Sequence, residues 1–151
     1  MTTRRQCSVA DALGVVGEKH SLLVLREVFF GVRRFDAMVR NIGAPRDILA
    51  ARLRHLVEAG VLEKVPYSER PPRFEYHLTD AGQDLRPVLL ALMKWGDRYL
   101  ADRPPIVWEH SCGADLDPVI VCRACGQEPA AGSLTPHFRD PGWTLAGLPG
   151  D

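Results

Sequence analysis

The sequence lacks long hydrophobic runs and is poor in cysteine. It contains no stretch of eighteen apolar residues, which is about the shortest length that a membrane-spanning helix needs. Its first residues are polar and basic and lead into an amphipathic pattern, so we expect no secretory signal. Only four of the 151 residues are cysteines. We therefore expect a cytoplasmic protein whose thiols stay reduced.

The chain also has no net charge. Nineteen Lys and Arg residues balance nineteen Asp and Glu residues, which argues weakly against a nucleic-acid partner. The two signs are nevertheless unevenly distributed. Residues 33–73 hold nine basic and five acidic side chains, a local balance of +4, whereas residues 83–151 hold six and nine, a balance of −3. A neutral protein with one basic face can still bind phosphate backbones.

A set of catalytic side chains is missing as well. The five histidines and the isolated serines offer no combination of nucleophile, base and orienting group. The metalloprotease pattern H-E-x-x-H and the deaminase pattern H-x-E are both absent. We therefore expect no enzymatic activity. The 46% of hydrophobic residues can bury the core of one domain with a small appendage.

The middle of the chain combines a helical pattern with a strand pattern. Apolar residues at helical spacing predict a helix over residues 46–59. These apolar residues are Leu49, Leu53, Leu56 and Val57. Two short strands are predicted over 62–67 and 74–78, where apolar and polar residues alternate in the second. The polar segment 68–73 between them contains two prolines and two arginines.

Three shorter helical patterns precede this region. Periodic apolar residues predict helices over about 8–16, 22–30 and 35–42, with Ser8 as the N-cap of the first. A Gly-containing turn joins the third of them to the 46–59 helix, which is the arrangement of a helix-turn-helix. With the hairpin, the pattern predicts a mainly α fold with a small β-hairpin (α+β), a winged helix-turn-helix domain.

A long last helix is expected after the hairpin, capped by Thr79 and kinked at Pro87. Its apolar residues recur at helical spacing for about twenty residues. They are Leu85, Val88, Leu89, Leu92, Trp95 and Tyr99. This stripe packs either against the first helix of its own domain or against a second copy of the chain. A two-fold dimer is our preferred interpretation, because it would place two recognition helices about 34 Å apart, one turn of DNA.

The exposed side of the 46–59 helix carries small and basic residues that fit a DNA major groove. The predicted DNA-contacting residues are Arg33, Arg34, Arg46, Asp47, Ala50, Arg54, Arg70 and Arg73. The last two belong to segment 68–73, the expected wing, which would meet the flanking groove or the phosphate backbone. The alternative is an ordinary helix with a solvated charged face. The basic hairpin tip favours DNA.

Three motifs, in order along the chain, carry a resemblance to a known family. From Gly17 the chain reads G-E-K-H-S-L-L-V-L-R-E-V-F-F-G-V-R-R-F-D-A-M, and from Leu49 it reads L-A-A-R-L-R-H-L-V-E-A-G-V-L. From Pro71 it reads P-P-R-F-E-Y-H-L-T-D-A-G-Q-D-L-R-P-V-L. These motifs resemble the HxlR-type winged helix-turn-helix regulators over residues 7–100. The sequence departs from the family pattern at His20, where tryptophan is usual, and at the start of the recognition helix.

The resemblance implies a dimeric, cytosolic, bacterial-type transcription regulator, of a kind that often represses its own gene or a neighbouring gene. It also implies that the first and last helices form the dimer, that the 46–59 helix reads bases and that the wing meets the minor groove or phosphates. The expected partners are double-stranded DNA and a second copy of the chain, without a membrane and with an effector still unknown.

Cys7 is a candidate redox sensor. Some HxlR-type proteins carry a cysteine at the equivalent place and use it to sense oxidants or electrophiles. A helix N-terminus with Arg4 and Arg5 nearby provides surroundings that favour a reactive thiolate. The alternative is an inert cysteine packed near the dimer interface.

The composition changes after Asp102, so we divide the chain into a DNA-binding and dimerisation domain over 7–102 and a tail over 103–151. The tail contains a C-x-x-C motif and, upstream of it, an H-x-C motif, each followed by glycine. Together they predict a small zinc ribbon with a structural Zn²⁺ ion. The candidate ligands are His110, Cys112, Cys122 and Cys125, with His137 as a spare.

Two alternatives stay open for this tail. A redox dithiol is one, although no βαβ pattern surrounds the C-x-x-C motif. A tail with free thiols, packed as a β-hairpin around residues 119–121, is the other. The zinc prediction also allows a second function for the whole chain, a zinc-ribbon protein-interaction module that does not read DNA. Steeply salt-dependent DNA binding would separate the two functions.

Overall fold

The computed structural model describes residues 7–139 of the chain. Within them, helices surround one antiparallel hairpin. The elements are α1 (Ser8–Val16), α2 (Lys19–Phe29), α3 (Phe35–Ile42), α4 (Arg46–Glu58), β1 (Leu62–Glu69), β2 (Pro72–Leu78), α5 (Asp80–Gln83) and α6 (Arg86–Tyr99). This order confirms the mainly α winged helix-turn-helix fold. Among the described residues, no helix combines the length and hydropathy needed to cross a bilayer.

The core lies between α2, α3 and α4. Its fully buried side chains belong to the apolar faces of these helices and to the start of β1. They are Val24, Leu25, Met38, Leu49, Leu53, Leu56 and Leu62. The predicted apolar face of the 46–59 helix is therefore confirmed. Burial of such side chains contributes about 1.5–3 kcal/mol each, so this face fixes which side of α4 remains outside.

The turn of the helix-turn-helix depends on Gly43, which ends α3 in the left-handed region with φ +69°. Its N–H donates a hydrogen bond of 2.9 Å to the carbonyl of Val39. Glycine adopts the left-handed conformation without steric cost, so the chain can change direction directly after α3. Ala44 is buried against the core, and α4 starts after Pro45.

A buried carboxylate ties α2 to α3. Glu27 is only 4% exposed and accepts hydrogen bonds from the guanidinium of Arg26 and, at 2.7 Å, from the side-chain amide of Asn41. Because an unpaired buried charge is costly, these donors are needed to keep Glu27 inside. They also set the position of α3 relative to α2.

The hairpin is longer than predicted, and its tip is tighter. The strands pair from Leu62 with Leu78 up to Glu69 with Pro72, so only Arg70 and Pro71 form the turn, through a cis peptide bond. The predicted wing segment 68–73 is therefore wrong in extent, because most of it belongs to the strands. The register shifts between Pro66 and Ser68; this irregularity falls at Tyr67.

Two capping expectations are corrected at the ends of the domain. Ser8 is the first residue of α1, and Cys7 is the N-cap, without a side-chain hydrogen bond. Thr79 does cap a helix, by accepting from the N–H of Gly82 at 3.2 Å, but that helix is the short α5. Pro87 lies in the first turn of α6, where its missing N–H costs nothing, so it does not kink a single long helix.

The tail runs along the domain mostly as irregular chain. The Trp108 ring stacks on Phe30 with centroids 5.2 Å apart. Lys94 of α6 donates 2.9 Å to the carbonyl of Pro118 and forms an ion pair with Asp117. The predicted hairpin around residues 119–121 is wrong, because these residues form no strand and are exposed. The described tail has one isolated bridge, between residues 109 and 115.

The division of the chain into 7–102 and 103–151 stays a prediction. Residues 1–6 and 140–151, which include Arg4 and Arg5, lie outside the described residues.

Candidate nucleic-acid interface

The buried side of α4 determines which of its side chains are exposed. Leu49 and Leu53 are fully buried, so the side of the helix away from these two residues faces solvent. Asp47 and Arg54 are exposed, and Ala50 between them is half-buried. Among the described residues, the Arg54 guanidinium has no hydrogen-bond, ion-pair or ring partner. A small residue next to a free arginine leaves room for a nucleic-acid surface to approach the helix.

Arg46, at the start of α4, is held by α3. Its guanidinium donates a hydrogen bond of 2.8 Å to the carboxylate of Asp36 and lies 4.8 Å from the centre of the Phe35 ring. Both charged side chains remain largely exposed. Arg46 therefore lies at the surface as predicted. Its guanidinium is not free, because it is paired with the carboxylate of Asp36.

A cleft of about 420 Å³ separates α3 from the hairpin. It is lined by Arg34, Phe35, Asp36, Ala37, Arg40, Tyr67, Arg73 and Phe74. Three of these are arginines, one from the turn before α3, one from α3 and one from β2, brought together by the fold. Guanidinium groups around an open cleft attract anions such as phosphate. Arg40 was not predicted as a site residue, although its spacing of four from Asp36 on α3 would have placed it on that face.

Arg34 is fixed in this cleft by two contacts. Its guanidinium lies 4.5 Å from the centre of the Tyr67 ring and donates 3.1 Å to the carboxylate of Glu75. The carbonyl of Arg33 accepts a 2.9 Å hydrogen bond from the N–H of Tyr76. The hairpin is thereby attached to the segment before α3. The side chain of Arg33 remains exposed.

The hairpin carries the remaining basic residues. Arg70 at the turn and Arg73 on β2 are exposed, and neither has a side-chain partner among the described residues. Lys64 on β1 lies 4.1 Å from the centre of the Phe74 ring. Lys64 and Tyr67 are further residues that sequence reasoning missed. Strand alternation could have placed Lys64 on a face, but the irregularity at Tyr67 depends on the pairing.

Exposed apolar side chains also lie on α1 and on α6. Leu85 and Leu89 pack against the core, whereas Trp95 and Tyr99 are 54% and 59% exposed. The predicted stripe therefore divides into an inner and an outer half. The outer half, together with apolar residues of α1, stays uncovered in one copy of the chain. These outer residues are Val9, Leu13, Val88, Leu92, Trp95 and Tyr99.

Cys7 is half-buried, with a free thiol, at the N-cap of α1. A role of this residue in redox sensing stays a prediction.

The tail places its four predicted zinc ligands in two separate turns. Cys112 donates its N–H to Nδ1 of His110 at 3.4 Å, and the second turn holds Cys122 and Cys125. In residues 7–139, no three His, Cys, Asp or Glu side chains come together in a group that could hold a metal ion. The spare ligand His137 is exposed. Zinc binding stays a prediction.

The second turn alters the chemistry of one thiol. Hydrogen bonds from the backbone N–H groups of Ala124 and Cys125, and from the Cys125 side chain, lower the pKa of the Cys122 thiol from its usual value. The cause is that these donors stabilise the thiolate more than the thiol.

Known proteins resemble the chain over most of its length. An uncharacterised HTH-type transcriptional regulator of Mycobacterium bovis, Mb3122, is 51% identical over 133 residues, which are 86% of this chain and 84% of that protein. A second regulator, sll1512 of Synechocystis, is 38% identical over 95 residues, 62% of this chain and 70% of its own length.

Solved structures share the fold. PA1607, a candidate transcription factor, is 35% identical with a TM-score of 0.78, and the match covers 91% of this chain and 97% of that chain. The oxidised form of the redox regulator HypR is 28% identical with a TM-score of 0.57, covering 63% and 99%.

The family model described as HxlR-like helix-turn-helix matches residues 15–104, which hold the elements from α2 to α6. The resemblance seen in the three sequence motifs is thereby confirmed, and the chain belongs to the HxlR-like helix-turn-helix family.

Proposed function

We propose that the chain is a transcriptional regulator that binds double-stranded DNA sequence-specifically as a homodimer and represses transcription. The observation that carries this proposal is the set of exposed arginines on the outer face of α4, around the cleft beside α3 and on the hairpin. Transcriptional regulators are also what its relatives are named. A helix exposed in this way suits a duplex, since the major groove of B-DNA admits one α-helix.

In this proposal α4 enters the major groove. Arg54 is exposed outside the buried face of α4 and has no partner to leave among the described residues, so it can approach the acceptors of a guanine edge. The small side chain of Ala50 allows DNA to approach the helix closely. Asp47 can accept a hydrogen bond from an amino group of a base. Arg46 contributes charge from beside Asp36.

The cleft and the hairpin follow the phosphate backbone. Arg34, Arg40 and Arg73 surround the cleft, and a phosphate placed there would be within reach of guanidinium donors from separate elements. Arg70 at the hairpin turn extends the same charge towards the flanking groove. Phosphate contacts of this kind position the protein without reading sequence.

The dimer uses the outer apolar surface of α1 and α6. A stripe with two exposed aromatic residues is unusual for a surface that faces water only, and aromatic residues are enriched in protein interfaces. A two-fold axis beside α6 would repeat the α4 surface on the second copy. The two α4 helices would then meet successive major grooves about 34 Å apart.

Footprinting on the DNA upstream of the protein's own gene tests the proposal. We expect protection of a pseudo-palindromic site and an affinity that falls steeply with salt. Repression further requires that the protected site overlap or follow the promoter. Equal, weak affinity for all sequences at every salt concentration would contradict sequence-specific regulation.

The alternative of a protein-interaction module without DNA readout has no supporting observation. The family membership favours DNA binding, and the basic residues lie where a winged helix would face DNA. A salt-independent interaction with DNA, or none, would be needed to revive the alternative.

A further inference from the structure

The turn of residues 122–126 in the tail has a defined backbone. The N–H of Gly126 donates to the carbonyl of Cys122 at 2.7 Å, and the N–H of Cys122 donates to the carbonyl of Gln127 at 2.8 Å. Gly126 has φ +73°, a conformation that glycine adopts without strain. The turn therefore holds both ends of the C-x-x-C motif in fixed positions.

This backbone brings the two cysteines close to each other. The N–H of Cys125 donates to the carbonyl of Cys122 at 3.3 Å, so the two cysteines are the first and last residues of one turn, whose Cα atoms lie within about 7 Å of each other. Both cysteines are free and exposed. Both thiols are thus open to solvent at the two ends of one turn.

The described surroundings supply two thiols, not four ligands. Among residues 7–139, no third His, Cys, Asp or Glu side chain completes a metal-holding group with this pair. A tetrahedral structural zinc site needs four protein ligands. Two exposed cysteines at the ends of one turn have their Cα atoms within the range that an intramolecular disulfide requires.

We infer that Cys122 and Cys125 are a redox-active dithiol that closes reversibly to a disulfide. With a low-molecular-weight disulfide as oxidant, the Cys122 thiolate attacks one of its sulfur atoms and releases one thiolate. Cys125 then loses its proton and attacks the Cys122 sulfur of the mixed disulfide, which releases the second thiolate. The dithiol gives up two electrons and two protons, and the oxidant becomes two thiols.

The pair can react without unfolding the winged domain. The segment before it is attached to α6 by the Lys94 contacts to Asp117 and Pro118, and Trp108 anchors the tail on Phe30. Among the described residues, no hydrogen bond, ion pair or ring contact joins the turn to the core or to α4. Oxidation should therefore leave the fold of residues 8–99 unchanged.

The sequence offers a direct assay, because trypsin cuts after Arg123, between the two cysteines. Full-length protein, purified without a histidine tag, is reduced, desalted, treated with glutathione disulfide, alkylated and digested without reductant. We expect peptides 99–123 and 124–139 to be recovered as one disulfide-linked species. Two of the four thiols should be lost per chain and regained with dithiothreitol.

Two variants identify the bond. In Cys112→Ser the linked species should persist, since peptide 99–123 keeps Cys122. In Cys125→Ser the link should disappear, and a glutathione adduct should remain on Cys122. The inference is overturned if all four thiols survive, if the link requires Cys112, or if stoichiometric zinc protects the thiols until it is chelated.

Discussion

Asp36 and Arg46 join the two helices of the helix-turn-helix, with 2.8 Å between Oδ1 of the carboxylate and Nη2 of the guanidinium. Both side chains are exposed on the surface proposed to meet DNA. An exposed pair of this kind contributes at most about 1 kcal/mol to stability. Its main effect is on charge, because Asp36 offsets one of the positive charges that a phosphate backbone would attract.

Replacing Asp36 with alanine should therefore strengthen DNA binding. We expect several-fold higher affinity for any duplex at low salt, and a smaller gain as salt increases, because the effect is electrostatic. Fluorescence anisotropy with a labelled duplex measures it. Asp102→Ala, which removes the same charge just before the tail, should have no effect. Weaker binding by Asp36→Ala would mean that Asp36 is needed to position Arg46.

The free guanidinium of Arg54 should contribute sequence readout. Arg54→Ala is expected to weaken operator binding by about 1–3 kcal/mol if the side chain contacts a base edge. Affinity for unrelated DNA should change much less. Arg103→Ala, which removes an equal charge outside the α4 surface, is the matched control in a gel-shift titration. An equal loss for both variants would exclude base contact by Arg54.

The hairpin arginines should act on all sequences alike. Replacing Arg70 and Arg73 together with alanine should reduce the slope of log K against log salt by about 0.9 for each phosphate that the protein no longer neutralises. Operator and non-operator DNA should lose the same factor in affinity. Selective loss on the operator at an unchanged slope would show instead that the hairpin reads bases.

The outer stripe of α6 should hold the dimer together. Trp95→Asp places a charge in the proposed apolar interface, where an unpaired charge is strongly unfavourable. We expect sedimentation velocity to show a monomer. Its operator affinity should be reduced, because one molecule can then occupy only one half-site. Leu134→Asp, at an exposed tail position, should remain a dimer. A dimeric Trp95→Asp protein would place the interface elsewhere.

Gly82 should be essential for the packing of α5 against Val61 and Leu78. A Cβ atom there would lie 2.3 Å from the carbonyl oxygen of Val61 and 2.9 Å from the Leu78 side chain. Gly82→Ala is expected to lower the free energy of unfolding by about 1–3 kcal/mol because the backbone must shift. Gly14 in α1 has open space where a methyl group would be added, so Gly14→Ala should instead gain up to about 1 kcal/mol. Urea denaturation compares the two at one protein concentration.

Local patterns are reliable where one side of an element is buried. The spacing of Leu49, Leu53 and Leu56 predicts the α4 face that the structure buries completely, because a helix places residues three or four positions apart on one side. The same patterns fail at ends and turns. The apolar spacing predicts one long helix that contains Pro87, whereas the structure has two helices, α5 and α6. The spacing of apolar residues is compatible with one helix or with two.

Contacts between distant segments follow a different rule. The pairing of Arg46 with Asp36, and the meeting of Arg34, Arg40 and Arg73 around one cleft, depend on the angle between α3 and α4 and on the register of the hairpin. No spacing in the sequence encodes those quantities. The separation of the H-x-C turn from the C-x-x-C turn is of the same kind.

The sequence by itself determined the helix order, the hairpin, the basic segment and the family, since each rests on residues near one another in the chain. Only the tertiary structure decided which arginines are free, which apolar residues of α6 remain outside, and which side chains meet around the cleft. The physical reason is that periodicity specifies the faces of an element, whereas packing of the whole core specifies what each face meets. For this chain the first gives the class of protein, and the second gives the residues that share its exposed surfaces.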